Sequence, residues 1–255
     1  MDQNKSISEQ REYKVVKSNE LIQKSRFVLS TQEQKIILYL ISKIKPSDTD
    51  FQVYNFHISE FCQICGLDTA SGKNYTNIRE SIKKLADKSF WILFENGESS
   101  LIRWINKAWM IEQSGHIKIR LDDEMKPYLL ELKKNFTQYG LIYILAMKSQ
   151  YSIRFYETLK SFENLHIQIF DINKLKNILS CEHYDRFPDF KRYVLDIVVK
   201  EINTLTDILI EYRPIKEGRK ITQIEFKIKT KTETTERLKA FAEIEKILRN
   251  DGYGH

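Results

Sequence analysis

Cysteine is scarce in this chain of 255 residues. Cys62, Cys65 and Cys181 are an odd number without the even spacing of a disulfide ladder, which excludes a disulfide-stapled scaffold and points to a reducing compartment. Long apolar runs are missing as well. Even VVKEINTLTDILI is broken by charge, far short of the roughly 20 apolar residues that a membrane helix requires. The opening MDQNKSISEQ lacks the apolar stretch of a signal peptide, so a cytoplasmic protein with no membrane partner is expected. With only four Pro and eight Gly there is little linker, and only the polar ends stand apart: 1–13 as a flexible N-terminus and 232–255 as a polar tail.

Catalytic signatures are absent too. The five histidines are scattered singly, so neither a zinc HExxH pair nor the paired histidines of a nicking enzyme exists, and no GxSxG elbow occurs. GLDTASGKN imitates a P-loop, but five residues separate Gly66 from Gly72 and Asn74 stands where Ser or Thr would bind magnesium. Cys62 and Cys65 form a CxxC without a second pair and read as buried structural thiols. Asp122 and Asp123 read as the negative start of a helix. No catalytic residue, metal site or cofactor is expected.

What is present is a mild positive excess, +6 from 41 Lys and Arg against 35 Asp and Glu, which suits a polyanionic partner if the charge is suitably placed. Placement follows from a near-repeat of element order: helix, strand, helix, helix, strand, turn, strand, twice over. In the first half the helix STQEQKIILYLISKI, capped by Ser30 or Thr31, precedes the strand FQVYNFHI. The short helix ISEFCQICGL, stopped at Gly66, the turn DTASGKN and the longer helix YTNIRESIKKLADKS follow. Then FWILFE and SLIRWINKAWMI form a hairpin through NGES, with Asn96 and Gly97 both expected at positive φ. HIKIRLDDEMKPYLLELKKN reads as a strand plus a helix, and FTQYG ends the unit.

The second half runs YSIRFYETLKSF, LHIQIF, DINKLKNILS capped by Asp171, the long helix PDFKRYVLDIVVKEINTL, and the strands TDILIEYRP and KITQIEFKIKT around IKEGR. A helix-turn-helix followed by a β-hairpin is the winged-helix order. The expected fold is α+β, with tandem winged-helix domains at 14–136 and 137–231.

The expected DNA-facing residues follow from helical and strand periodicity. In the first recognition helix Ile78, Ile82 and Leu85 make the core stripe, which turns Lys73, Asn74, Thr76, Arg79, Lys83 and Lys84 toward DNA, with Glu80 an unfavourable neighbour for phosphate. In the second, Phe190, Val194, Leu195, Val198 and Ile202 face inward. Arg186, Asp189 and Arg192 are then the preferred base readers, accompanied by Tyr193 and, further along, Lys200. The second hairpin carries Arg213, Lys216, Arg219 and Lys220 to grip phosphate, with Lys227, Lys229 and Lys231 alternating outward. The first hairpin is apolar, through Trp91, Leu93, Phe94, Leu101, Ile102, Trp104 and Trp109. A leftover strand edge there is expected to pair with a second copy.

The strings KSNELIQKSRFVLSTQEQKIILYLIS, RWINKAW with HIKIRLDDEMKPYLLEL, YSIRFYETLK, and above all FDINKLKNIL to DFKRYVLDIVVKEINTLTD resemble the initiator replication proteins of iteron-carrying, theta-replicating plasmids, over roughly Lys14 to Lys231. That resemblance implies a monomer that binds directly repeated double-stranded origin sites, helps open the duplex and recruits a host initiator and the replicative helicase. It also implies a dimer that represses its own promoter. In it Arg186, Asp189 and Arg192 match the base-reading stretch, whereas the first domain positions or dimerises. A dimeric winged-helix transcription regulator is the alternative, and a protein-binding scaffold is a third reading that the two basic faces disfavour.

Overall fold

The structure is a computed structural model that describes residues 5–69, 72–111 and 114–250. The segment expected to be a flexible N-terminus folds from Lys5 onward. Ser6 and Glu9 cap each other's backbone to start α1 (Ile7–Arg11). Gln10 is buried between the Tyr39 hydroxyl and Glu60. Then come β1 (Lys14–Ser18), α2 (Asn19–Lys24) and β2 (Ser25–Arg26).

The first repeat opens with α3 (Thr31–Ser42), whose cap is Ser30 in a reciprocal box with Glu33. It continues through β3 (Tyr54–His57), α4 (Ile58–Ile64) and α5 (Gly72–Asp87). Gly66 at φ +68 ends α4 in a Schellman motif, with Gly66 N–H donating to Gln63 and Leu67 N–H to Cys62. Ala70 and Ser71 of the expected turn lie outside the described residues.

Two strands then form a hairpin, β4 (Ser89–Leu93) with β5 (Ser99–Arg103). Its turn differs from the expected two-residue type. Gly97 alone is at positive φ, and Asn96 instead accepts the Glu98 N–H on its side chain. Glu95, Asn96 and Gly97 make the three-residue loop that ends in a left-handed residue.

The expected single strand SLIRWINKAWMI breaks at Trp104. This side chain is 1% exposed, stacks on Phe90 at 4.1 Å and directs the chain into a different sheet. There β6 (Ile105–Met110) pairs with β7 (His116–Leu121), and β7 with β3. The wing of the first repeat is therefore β6–β7 with its turn at 111–115, of which 112 and 113 lie outside the described residues. The Asn96–Gly97 hairpin is an insertion that pairs with β2 in its own sheet.

The helix expected after β7 is one turn long, α6 (Lys126–Leu129), because Leu130 is extended and Glu131 and Asn135 adopt positive φ. β8 (Phe136–Gly140) pairs with β1 along its whole length, so the expected boundary between 136 and 137 falls inside a strand. After α7 (Ile142–Leu145), the second repeat runs α8 (Gln150–Lys160), β9 (Ile167–Asp171), α9 (Ile172–Leu179), α10 (Phe187–Phe190), a π turn (Lys191–Leu195), α11 (Asp196–Leu205), β10 (Ile208–Glu217) and β11 (Lys220–Thr230). Its sheet order, β10-β11-β9, reproduces β6-β7-β3 of the first: in both, the third strand of the repeat sits between the first and second.

The expected polar tail carries α12 (Thr234–Asn250), which buries Ala240, Ile244 and Leu248. One continuous apolar core runs through both repeats, from Val15 to Leu248. At the junction Lys17 and Glu157, each 2% exposed, pair at 2.8 Å, and the Tyr139 hydroxyl donates to the same carboxylate.

Candidate nucleic-acid interface

In α5, Ile78, Ile82 and Leu85 are fully buried, as their spacing predicts. Lys73, Thr76, Lys83 and Lys84 are exposed, and so is Glu80. Arg79 is half-buried with its guanidinium 5.9 Å from the Tyr75 ring. Asn74 is engaged in the local backbone: its side chain donates to the Asp68 carbonyl and fastens the helix start to the preceding turn. The Thr76 hydroxyl bonds back to Gly72 within its own helix. This face is mixed in charge.

The second recognition helix is better supplied. Phe190, Val194, Leu195, Val198 and Ile202 are buried without remainder, leaving Arg186, Arg192, Tyr193 and Lys200 exposed. Arg186 precedes α10 with its side chain 77% exposed and its Nε 3.8 Å from Asp189, an exposed ion pair longer than a hydrogen bond. Arg192 and Tyr193 lie within the π turn, a one-residue widening often found at functional sites. The Arg192 guanidinium stands 5.2 Å from the Tyr193 ring. Lys191 is spent on Asp196, whose carboxylate holds both 2.8 Å contacts and pushes the ammonium's pKa up.

Two groups that periodicity does not single out shape this end. Tyr184, in the turn before α10, stacks on Tyr193 with ring centroids 5.7 Å apart and 19° between planes. Lys176 is buried on α9 and donates to the carbonyls of Tyr184 and Asp185, which fixes that turn. The turn opens with a Schellman motif like the one at Gly66: Ser180 at φ 53 stands where the first repeat has glycine, and Cys181 N–H donates to Lys176. The Ser180 hydroxyl donates to the Phe27 carbonyl and helps hold the strained residue.

On the second wing Lys216, Arg219 and Lys220 are exposed around the turn at Gly218. Arg213 is exposed but paired with Glu225 at 3.1 Å. Lys227 and Lys229 project outward, but Lys231 lies beyond the end of β11, where strand alternation no longer applies. It is buried, with its ammonium capping the carbonyls of Asn203 and Thr206 at the end of α11, and burial lowers its pKa. Lys231 is thus a helix cap and no part of a phosphate grip.

Burial pushes the thiols of Cys62, Cys65 and Cys181 up to about 11, 12 and 12, so they stay protonated near neutrality. Among the described residues no group of three or more His, Cys, Asp and Glu side chains could hold a metal ion, and no helix is long and apolar enough to cross a membrane.

Comparison with known proteins agrees with this architecture. The family described as "Initiator Replication protein, WH1" matches residues 14–160, and "Initiator Rep protein, WH2" matches 171–228. The PI protein of Escherichia coli is 29% identical over 151 residues, 52% of this chain and 48% of that relative, so the match spans about half of PI. An uncharacterized 27.6 kDa protein of Escherichia coli is 20% identical over 221 residues, 81% of this chain and 91% of its own length. The crystal structure of the Pi initiator protein in complex with iteron DNA has a TM-score of 0.72 at 18% identity, covering 88% of this chain and 99% of that one. Domains 2 and 3 of RctB give 0.51 at 13% identity, covering 81% and 84%. With its two winged-helix domains in the order WH1 then WH2, the chain belongs to the initiator replication protein family.

Proposed function

We propose that this protein initiates plasmid replication by binding directly repeated double-stranded origin sites in the cytoplasm, without catalytic chemistry of its own. The second domain, opening with α8, is the principal reader through Arg186, Asp189, Arg192 and Tyr193, with Lys200 and the wing residues Arg213, Lys216, Arg219 and Lys220 on phosphate. The first, closing with β8, positions the complex through Lys73, Thr76, Arg79, Lys83 and Lys84, while Asn74 holds the turn. The exposed Arg186 and Arg192 on the candidate recognition helix, in a chain with the fold of the Pi initiator bound to iteron DNA, support this role most directly. Opening of the duplex, by preference for deformed DNA, and recruitment of a host initiator and helicase complete the proposed role.

A second reading, a dimeric regulator that represses its own promoter, is favoured by one observation. Trp91, Leu93 and Leu101 are 47%, 40% and 54% exposed on the inserted hairpin, whose strand β5 is a sheet edge. Maintenance separates the two. A selectable DNA circle carrying only the coding sequence and its flanking DNA should persist in a permissive host, and Arg192→Ala should reduce that persistence. Failure of the wild type to maintain the circle, together with repression of its own promoter, would leave the regulator.

A further inference from the structure

The C-terminal helix has no counterpart in either winged-helix repeat, yet it touches both. Ala240, Ile244 and Leu248 recur at four-residue intervals on one buried face of α12. The helix packs on α11 and α7, where Phe241 meets Tyr143 with ring centroids 5.7 Å apart. At its far end it meets Gly66, the left-handed residue that ends α4 and opens the turn toward α5. A Cβ on Gly66 would stand 2.3 Å from the Leu248 carbonyl oxygen, so the approach requires glycine. Glu245 pairs with Arg11 at 3.2 Å, and Arg11 donates to the carbonyls of Gln63 and Ile64 at the end of α4. A carboxylate facing those carbonyls directly would be repelled, and the interposed guanidinium makes the joint attractive.

We propose that α12 is a strut that fixes the separation of the two DNA-reading helices, with Leu248, Glu245 and Arg11 as positioning residues for bipartite recognition. This rests on the two-domain DNA-binding reading above. The shared core and the Lys17–Glu157 pair join the repeats, and α12 adds a second tie that runs from α7 and α11 to the turn between α4 and α5, so a body held at both places accepts one spacing of its two heads. A single inserted base pair moves one half-site by roughly 3.4 Å and turns it by about 35°.

Full-length protein is tested by selection from a random-sequence duplex library. Wild type should enrich two half-motifs at one separation. Leu248→Asp, which sets a carboxylate where α12 meets α4, should enrich the same half-motifs scattered over about two base pairs or more. It should also lose a roughly tenfold preference for the native spacing. Leu248→Met should keep that preference. Glu245→Ala, which leaves the buried contacts in place, should broaden the spacing less, and it alone decides if Leu248→Asp does not fold. An unchanged single separation in the folded variants overturns the strut. One undivided motif for the wild type overturns the two-domain reading, and the strut with it.

Discussion

Arg192, within the π turn, is exposed with its guanidinium near the Tyr193 ring and no ion pair among the described residues, whereas Lys191, one residue earlier, is tied down by Asp196. An unpaired guanidinium can grip a guanine edge at little cost, so Arg192→Ala should weaken binding to the preferred site by about 1–3 kcal/mol and relax specificity at one base pair. Competition binding with single-base variants measures this. Lys216→Ala should behave differently, weakening all sequences alike and reducing the slope of log K against log salt by about 0.9. Inside the molecule Glu157 is the counter-charge to buried Lys17, and Glu157→Gln should cost about 3–5 kcal/mol in urea unfolding. Burial holds Lys17 below the ordinary 10.5, so the unfolded chain binds its proton more tightly. In the Glu157→Gln variant stability should therefore rise with pH toward 10.5. A fall over that range would contradict the assignment.

At the scale of elements, much was legible because burial has a period. The stripe Ile78, Ile82, Leu85 and the set Phe190, Val194, Leu195, Val198, Ile202 give the buried faces of both helices from spacing, and their place after a short helix and before a hairpin marks them as candidate recognition helices. The turn residues misled where two features competed. Asn-Gly is so strong a hairpin signal that it centres the expected first wing, 90–111, on residues 96–97, whereas the wing is built on β6–β7, where 111–115 carry no such dipeptide. Trp104 reads in sequence as one more apolar strand residue, and only its stacking on Phe90 shows it as the point where the chain changes sheets. Lys231 continues an alternation that the strand has already left. Strand registers and the buried Lys176 clamp depend on partners far away or across a turn, which periodicity does not report. In α12, alanine and isoleucine sit among charges, so the stripe at 240, 244 and 248 is narrow. Ile244→Ala should nevertheless cost about 2–5 kcal/mol by urea unfolding, the value of a fully buried side chain. A loss below about 0.5 kcal/mol, usual for surface positions, would return the helix to a solvated tail.

The molecule is a duplicated winged-helix unit with an insertion, clasped by α12. Equal strand orders in the two repeats, β6-β7-β3 and β10-β11-β9, place each recognition helix before its own wing. The shared core and the Lys17–Glu157 pair lock the repeats together. Such a body is suited to reading a long asymmetric site from one direction, which matches direct repeats better than a palindrome. The apolar hairpin face makes a separate statement about self-association: Trp91→Lys with Leu101→Lys should abolish any dimer seen by sedimentation and leave DNA binding by the monomer intact.

Repeated-site recognition led by the second domain is open to direct test by footprinting the purified protein on its own flanking DNA at two salt concentrations, with Arg192→Ala alongside. Several directly repeated protections, steeply salt-dependent and blurred by the substitution, are the expected result. Footprints unchanged in Arg192→Ala, or no protection at all, would contradict it.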